Sequence, residues 1–258
     1  MTNKKLKISV CVITYNEEKN IQKCLESVID WVDEIVVVDA YSTDNTLKIV
    51  EKYTSKIYQS KWEGFSQQKN FCLSKAQHKW ILFLDADEYV TKELKKRTFE
   101  IFEREPDCDF YKIQRKEHFM NKWIRYGAWN PSWHIRLFKK ENAYFTGEVH
   151  EYPVVKGKGG YIDEFFYHQS FQNLEDLLDK FNSYTTLDAQ KKFNLGVKHK
   201  KYYMFFSGMA MFFKSYIVKK GYRDGLEGLL LAIIEGMYFL IRQAKLYYLW
   251  QKNKNLER

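Results

Sequence analysis

Trp80-Ile-Leu-Phe-Leu-Asp-Ala-Asp87 decides the reading of this chain, because an unbroken apolar run leads straight into two carboxylates spaced two apart. A short continuous apolar segment bounded by polar turn residues is the pattern of a strand buried on both faces, as in a parallel sheet. Two similar runs precede it, Ile8-Ser-Val-Cys-Val-Ile13 and Glu34-Ile-Val-Val-Val-Asp39. Between those two, Ile21, Cys24, Leu25, Val28 and Ile29 recur at the three-and-four spacing of one helix face. A second helix is expected from Asp44 onward, with Leu47 and Val50 inward and Ser42, Thr43 or Asp44 capping its first N–H groups. Strand and helix in alternation predict an α/β domain, whose right-handed crossovers place ligands just beyond the carboxyl ends of the strands. Polar residues gather at those ends: Thr14-Tyr15-Asn16-Glu17 after the first run, Asp39 at the end of the second, and Asp85-Ala86-Asp87 after the third.

The rest of the composition narrows the class. With 258 residues, 45% hydrophobic, and only three prolines, the chain can bury a core and is neither disordered nor fibrous. The four cysteines form no C-x-x-C pair and lie in apolar stretches, which points to a reducing, cytosolic setting. The basic N-terminus is followed by an apolar run, Ile8 to Ile13, too short for a signal-peptide core, so export by that route is not expected. No glycine occurs before Gly64, which excludes a G-x-G-x-x-G turn or a Walker loop after the first two strands. Gly157-Lys-Gly-Gly160 precedes a strand and reads as a turn. There is no His-x-x-x-His or cysteine cluster to suggest zinc. From Asp109 the pattern shifts to strands (Asp109 to Arg115, Trp133 to Phe138, Gly160 to Tyr167), and beyond Asn173 it is helical, with Leu174, Leu177, Leu178 and Phe181 on one face.

In extended backbone Asp85 and Asp87 project to the same side. Two carboxylates about 4 Å apart repel by about 4 kcal/mol at an effective dielectric near 20, against about 1 in water. In a crevice such a pair favours a hard divalent cation, Mg²⁺ or Mn²⁺, shared with a substrate diphosphate. The competing reading is a solvated strand-to-helix turn with one Asp capping a helix near Thr91.

These stretches together resemble the family 2 glycosyltransferases of GT-A fold: Val12-Ile-Thr-Tyr-Asn-Glu-Glu18, Asn20-Ile21, Asp39 with Ser42-Thr-Asp-Asn-Thr46, and Phe83-Leu-Asp-Ala-Asp87. Trp133-His-Ile-Arg-Leu-Phe138, Gly147-Glu-Val-His-Glu151 and His168 are similar to the subgroup related to lipopolysaccharide core β-glucosyltransferases. The resemblance spans nearly the whole chain. It implies a GT-A catalytic domain over residues 1–170, divided into a nucleotide-sugar half (1–105) and an acceptor-facing half (106–170), with a helical region over 171–258. It implies inverting, metal-dependent transfer of a hexose, glucose first, from a UDP-sugar to a saccharide or lipid-linked acceptor in core biosynthesis. Thr14, Tyr15, Asn16, Glu17, Ser42, Asp44 and Ala86 would line the donor pocket and Asp39 would bond the base. Lys69 would sit near the diphosphate, Asp85 would face the nucleotide sugar, and Asp87, with Asp85, would hold the metal. Tyr41 stands where much of the family has Gly.

Inversion needs a group that removes the acceptor hydroxyl proton, and Glu148, His150 and Glu151 are the candidates. An extended segment puts Glu148 and His150 on one side and Glu151 on the other. The resemblance favours Glu151, with Glu148 second; paired with Arg136 or a nearby Lys, Glu151 would instead be structural, and Arg136, with His150 and His168, is an accessory candidate. His150 and His168 read either as metal or phosphate ligands or as packed, hydrogen-bonded residues. One of Trp123, Trp129 and Trp133 is expected to stack on a sugar, the others to fill the core.

The C-terminal segments Tyr202 to Val218 and Leu226 to Trp250 interleave Lys and Arg with aromatics, yet charges interrupt both before a spanning length of about 20 apolar residues. They read as helices lying in the inner face of the cytoplasmic membrane, or packed on the catalytic domain or another subunit. Two alternatives remain: the same fold acting on a peptide or teichoic-type polymer, and a basic module for single-stranded nucleic acid, which the formal charge of +9 would suit. Carboxylates converging at the strand ends oppose the second, so no nucleic acid is expected.

Overall fold

The computed structural model describes residues 5–120, 122–130, 132–147, 152–168, 174–198 and 201–256. The chain forms two compact units, Met1–Lys116 with Ser132–Gln169, and Glu117–Pro131 with Ser170–Arg258. In chain order the elements begin β1 (Leu6–Thr14), α1 (Ile21–Glu26), β2 (Val32–Asp39), α2 (Thr46–Val50), β3 (Ile57–Gln59), α3 (Phe65–Lys75), β4 (Trp80–Asp85), β5 (Glu88–Val90) and α4 (Lys92–Glu103). They continue β6 (Phe110–Phe119), β7 (Lys122–Trp123), β8 (Trp133–Lys139), β9 (Ala143–Thr146), β10 (Tyr152–Val155), β11 (Gly159–His168), α5 (Leu174–Asn194), α6 (Lys201–Phe213) and α7 (Gly225–Leu256).

The first unit is built on a mixed sheet of order β3-β2-β1-β4-β8-β6-β11-β5. β1 is central and parallel to β2 and β4, so the three apolar runs of the sequence lie side by side. β8 is antiparallel to both β4 and β6. Both faces are covered. Val10, Val12, Leu82 and Leu84 point to one side, where α1 contributes Ile21, Cys24 and Leu25 and α4 contributes Leu94. Cys11, Ile13, Ile81 and Phe83 point to the other, where α3 supplies Cys72 and Leu73 and the β9–β10 hairpin supplies Phe145. The alternation follows from the period-two geometry of strands, and burial on both sides explains why the polar positions of these runs are few: Ser9 and Glu34 near their starts, which bond each other, and Asp39 and Asp85 at their ends. α4 is capped by Thr91 rather than by Asp85 or Asp87: its hydroxyl accepts from the Leu94 N–H at 3.0 Å and donates to the Phe165 carbonyl at 2.9 Å. At the turn before β11, Gly157 has φ +118°, and a Cβ there would lie 2.2 Å from Asp109 Oδ2, so only glycine fits.

The second unit gathers 117–131 with α5, α6 and α7 around Phe119, Ile124, Leu177 and Leu231. The Asp224 carboxylate accepts from the Arg125 and Tyr126 N–H groups at 3.0 and 2.8 Å, and Trp129 Nε1 donates to Glu235 at 2.9 Å. α5 buries a line at four-residue steps, Leu177, Thr185 and Ala189 with Phe181 half-buried, and Phe181 packs edge-on to Tyr238 of α7. Leu174 and Leu178, expected on that face, are about half exposed, because the buried line is a single narrow row against one neighbouring helix. No helix among the described residues is long and apolar enough to cross a membrane.

Candidate functional site

The register of the parallel strands fixes the site. Thr14 at the end of β1 pairs with Asp39 at the end of β2, and Ile13 pairs with Asp85 at the end of β4. Three polar strand ends therefore meet at one edge of the sheet, where an open α/β sheet presents its crevice. The loops that follow β1 and β2 are laced together. Asn16 N–H donates to Ser42 Oγ at 2.9 Å, Thr43 N–H to Asn16 Oδ1 at 2.8 Å, Glu17 N–H to Thr46 Oγ1 at 2.8 Å and Glu18 N–H to Asp44 Oδ2 at 3.1 Å. Asp44 also accepts from the Thr46 N–H, the first of α2, at 2.9 Å, while the N-cap residue Asn45 makes no side-chain cap bond. Burial would lift the Asp44 carboxyl, but these donors outweigh it and hold it below its ordinary value.

Asn16 and Tyr41 both adopt positive φ, 53° and 63°. Left-handed backbone costs a non-glycine residue about 1–2 kcal/mol, and the bonds between the two loops hold it in place. Tyr41 thus takes the conformation a glycine would take, and its ring is half exposed, as is that of Tyr15. Asp39 is fully buried and accepts from Ser42 N–H at 2.9 Å, from Gln59 Nε2 at 3.2 Å and from the Ser42 hydroxyl. Three donors leave one of its roughly four lone-pair positions open. Thr14 Oγ1 is buried without a partner among the described residues.

Asp85 lies between two cations, Lys69 Nζ on Oδ1 at 2.7 Å and an Arg136 terminal nitrogen on Oδ2 at 2.8 Å. Lys69, on α3, is 3% exposed and stands over the rings of Phe83 and Phe145 at 5.3 and 5.7 Å. The same Arg136 nitrogen bonds Glu88, which is fully buried and also accepts from the Asp85 N–H at 3.0 Å. Burial opposes the charge on Asp85, but Lys69 and Arg136 prevail and hold that carboxyl well below its usual range. Burial dominates at Glu88 and, with the Asp85 charge, pushes it up to about 7 against the pull of Arg136. Glu88 was not among the sequence candidates; its signal was a carboxylate directly after Asp87, opening a three-residue strand.

β5 pairs antiparallel with β11, and His168 sits opposite Glu88. This pairing brings His168 from far along the chain to Asp87, with Nε2 3.2 Å from Oδ2. Asp87 and His168 thus form an oxygen–nitrogen donor pair, while the Asp85 oxygens are each engaged by a cation. No group of three or more His, Cys, Asp or Glu residues among the described residues is arranged to hold a metal unaided. Ala86, between the two aspartates, is buried. Glu148, His150 and Glu151 lie outside the described residues. Their flanks belong to the β9–β10 hairpin, in which Tyr152 pairs with Thr146, and the Gly147 carbonyl accepts from Ser66 Oγ on α3. Of the three tryptophans, Trp133 is 36% exposed and meets Tyr161 edge-on, whereas Trp129 packs against the core of the second unit.

This mixed sheet, with polar residues gathered at the ends of β1, β2 and β4, has the GT-A fold. The chain belongs to glycosyl transferase family 2, whose family model matches residues 9–157. It is 31% identical over 97% of its length to an uncharacterized glycosyltransferase of Rickettsia felis, covering 93% of that protein. It is 26% identical to the lipopolysaccharide core biosynthesis glycosyltransferase LpsC of Rhizobium meliloti, over 94% of this chain and 93% of that one. Among solved structures, S. aureus TarS 1-349 in complex with UDP-GlcNAc aligns over 96% of this chain and 92% of that one, at 18% identity and a TM-score of 0.48.

Proposed function

We propose that this chain transfers a hexose, glucose first among candidates, from a UDP-sugar to a saccharide or lipid-linked acceptor of the lipopolysaccharide core, inverting the anomeric centre. The observation that carries the reading is the convergence of Thr14, Asp39 and Asp85 at three adjacent strand ends, with the Asp87–His168 pair beside them. The Thr14 hydroxyl, without a partner among the described residues, and the open acceptor position on Asp39 would be satisfied by the uridine, Asp39 accepting an N–H of the base. Asn16, Glu17, Ser42 and Asp44 keep the pocket wall in shape, and the Tyr15 and Tyr41 rings offer flat apolar surface to the base.

Asp87 and His168 would hold a divalent cation, and the mixed oxygen and nitrogen donors suit Mn²⁺ better than Mg²⁺. When bound, the cation stabilises negative charge on the leaving diphosphate. Lys69 keeps its ammonium at the donor crevice through Asp85, and Arg136 fixes the other oxygen of that carboxylate, so Asp85 faces the donor sugar in one orientation. Glu151, with Glu148 second, would take the proton of the acceptor hydroxyl. The oxygen then attacks the anomeric carbon from the face opposite the diphosphate, and the bond to UDP breaks with its electron pair leaving on the phosphate oxygen. Trp133 offers a face for the acceptor sugar. The workplace is the inner face of the cytoplasmic membrane, where lipid-linked acceptors are presented.

The test is incubation with UDP-glucose, other UDP-hexoses and core-truncated lipopolysaccharide, with the product linkage read by NMR. A β-linked hexose on the saccharide supports the reading; transfer only to a peptide or a polyol phosphate polymer would move the acceptor class.

A further inference from the structure

The second unit carries an apolar face that its own fold leaves open. α6 and α7 pack through glycines: a Cβ on Gly208 would lie 2.9 Å from the Gly236 carbonyl oxygen, and one on Gly236 would lie 3.0 Å from the Gly208 oxygen. Leu240 lies against Gly208 and Phe212 against Gly236, so rising numbers on one helix meet falling numbers on the other and the pair is antiparallel. α6 continues through a π-turn, Lys214–Val218, to the tip of this hairpin. On α6, Tyr202, Phe206, Met209 and Phe213 are 44–65% exposed and recur at four- and three-residue steps; on α7, Leu226, Ile233, Met237 and Leu240 are 38–66% exposed at seven-, four- and three-residue steps.

Measured from the glycine contact at about 100° per residue, the stripe lies about 130° round α6 and about 70° round α7, in the same rotational sense. Between antiparallel helices, rotations of the same sense from a shared contact turn toward the same side. The two stripes therefore form one continuous apolar face. At the tip Ile217 and Val218 are 52% and 72% exposed, beside exposed Lys214, Lys219, Lys220 and Arg223.

The charges identify what covers this face. The acids of residues 201–256 are Asp224, Glu227 and Glu235, and each is turned to an internal partner: the Arg125 and Tyr126 N–H groups, Lys122 and Trp129 respectively. The rim is left cationic. A second copy of the chain would bring the same sign of charge to the contact, whereas anionic headgroups above an apolar acyl boundary complement both the lysines and the stripe. We propose that the joint α6–α7 face, led by the tip at 214–223, lies in the surface of an anionic lipid bilayer, parallel to its plane. The face rests on the membrane-side location proposed above. UDP binding by the first unit is independent of it and is measured on the same variants, so the two readings fail separately.

The test is sedimentation of the full chain with vesicles of equimolar phosphatidylglycerol and phosphatidylcholine, and of phosphatidylcholine alone, at low and high salt. Two variants are compared, Lys214→Glu/Lys219→Glu/Lys220→Glu at the exposed tip and Phe206→Ser/Phe213→Ser on the stripe. The wild type is expected to bind the anionic vesicles in a salt-sensitive way. The charge variant should bind at least about a hundredfold more weakly, since loss of each lysine charge alone costs about fivefold, and the stripe variant should lose binding at every salt concentration, while both keep their helical circular dichroism. Absence of wild-type binding, or equal binding by the variants, overturns the proposal. A wild-type dimer in sedimentation velocity that the stripe variant abolishes also overturns it and assigns the face to a second copy.

Discussion

Replacing Arg136 by leucine tests the electrostatic core of the site. Its guanidinium touches two carboxylates, Asp85 at 2.8 Å and the fully buried Glu88. At pH 6 Glu88 already holds its proton, because burial lifts it to about 7. The variant then loses mainly a hydrogen bond to the charged Asp85, about 1.5–3 kcal/mol, with Lys69 still in place. Above pH 7 the wild type can ionise Glu88 against Arg136, whereas the variant must keep the proton on or bury a bare charge. That difference grows by up to about 1.4 kcal/mol per pH unit. At about 2–4 °C per kcal/mol for a chain of this size, the melting temperature should drop by roughly 3–12 °C at pH 6 and by about 3–6 °C more at pH 8. Differential scanning calorimetry at the two pH values reads this directly. An equal drop at both, or none, would refute the coupling of Glu88 to Arg136.

Glu88 itself sets a slope in the wild type. Its folded value lies above its ordinary 4.5, so its stabilising contribution is full below pH 4.5 and is lost as pH rises through about 7; Glu88→Gln should flatten the melting temperature across that window in the same calorimetric series. Thr91→Ala removes the cap of α4 and the bond to Phe165, and chemical denaturation should show a loss of about 1–2 kcal/mol. Gly208→Val pushes a side chain into the Gly236 carbonyl, and urea titration followed by tryptophan fluorescence should show a loss of about 1–3 kcal/mol. His168→Ala should weaken Mn²⁺-dependent UDP binding at least tenfold in calorimetry while leaving the circular dichroism unchanged.

The three parallel strands and their polar ends could be read from sequence because burial on both faces writes an uninterrupted apolar run, and the run ends where the site begins. The placement of Asp39 and Asp85 at strand ends followed from position alone; Asp87, expected on the same extended side as Asp85, lies instead in the turn after β4 beside His168. Glu88 did not follow from position, and Arg136 was expected as an accessory residue or a partner of Glu151, not as the partner of Asp85 and Glu88. Glu88 looked like one more acid of a solvated turn, and its burial and its bonds to Arg136 and the Asp85 N–H show that it faces inward. Arg136 sits at the register shift of β8 against β6, between Ile135 and Leu137, where the regular alternation of faces that sequence reading relies on is interrupted. The link between 117–131 and the C-terminal helices is equally silent in sequence. It is made by pairs such as Lys122 with Glu227 and Trp129 with Glu235, which no local period records. On α6 and α7 apolar residues surround most of the helix, so the buried side became distinguishable only once Gly208 met Gly236.

The central claim is a uridine diphosphate site at the ends of β1, β2 and β4, and isothermal titration of UDP in the presence and absence of Mn²⁺ tests it most directly, on the wild type and on Asp87→Ala. The account predicts metal-dependent binding with one-to-one stoichiometry in the wild type, lost or weakened at least tenfold in the variant. Absence of UDP binding under any metal condition, or binding that Asp87→Ala leaves untouched, would contradict it.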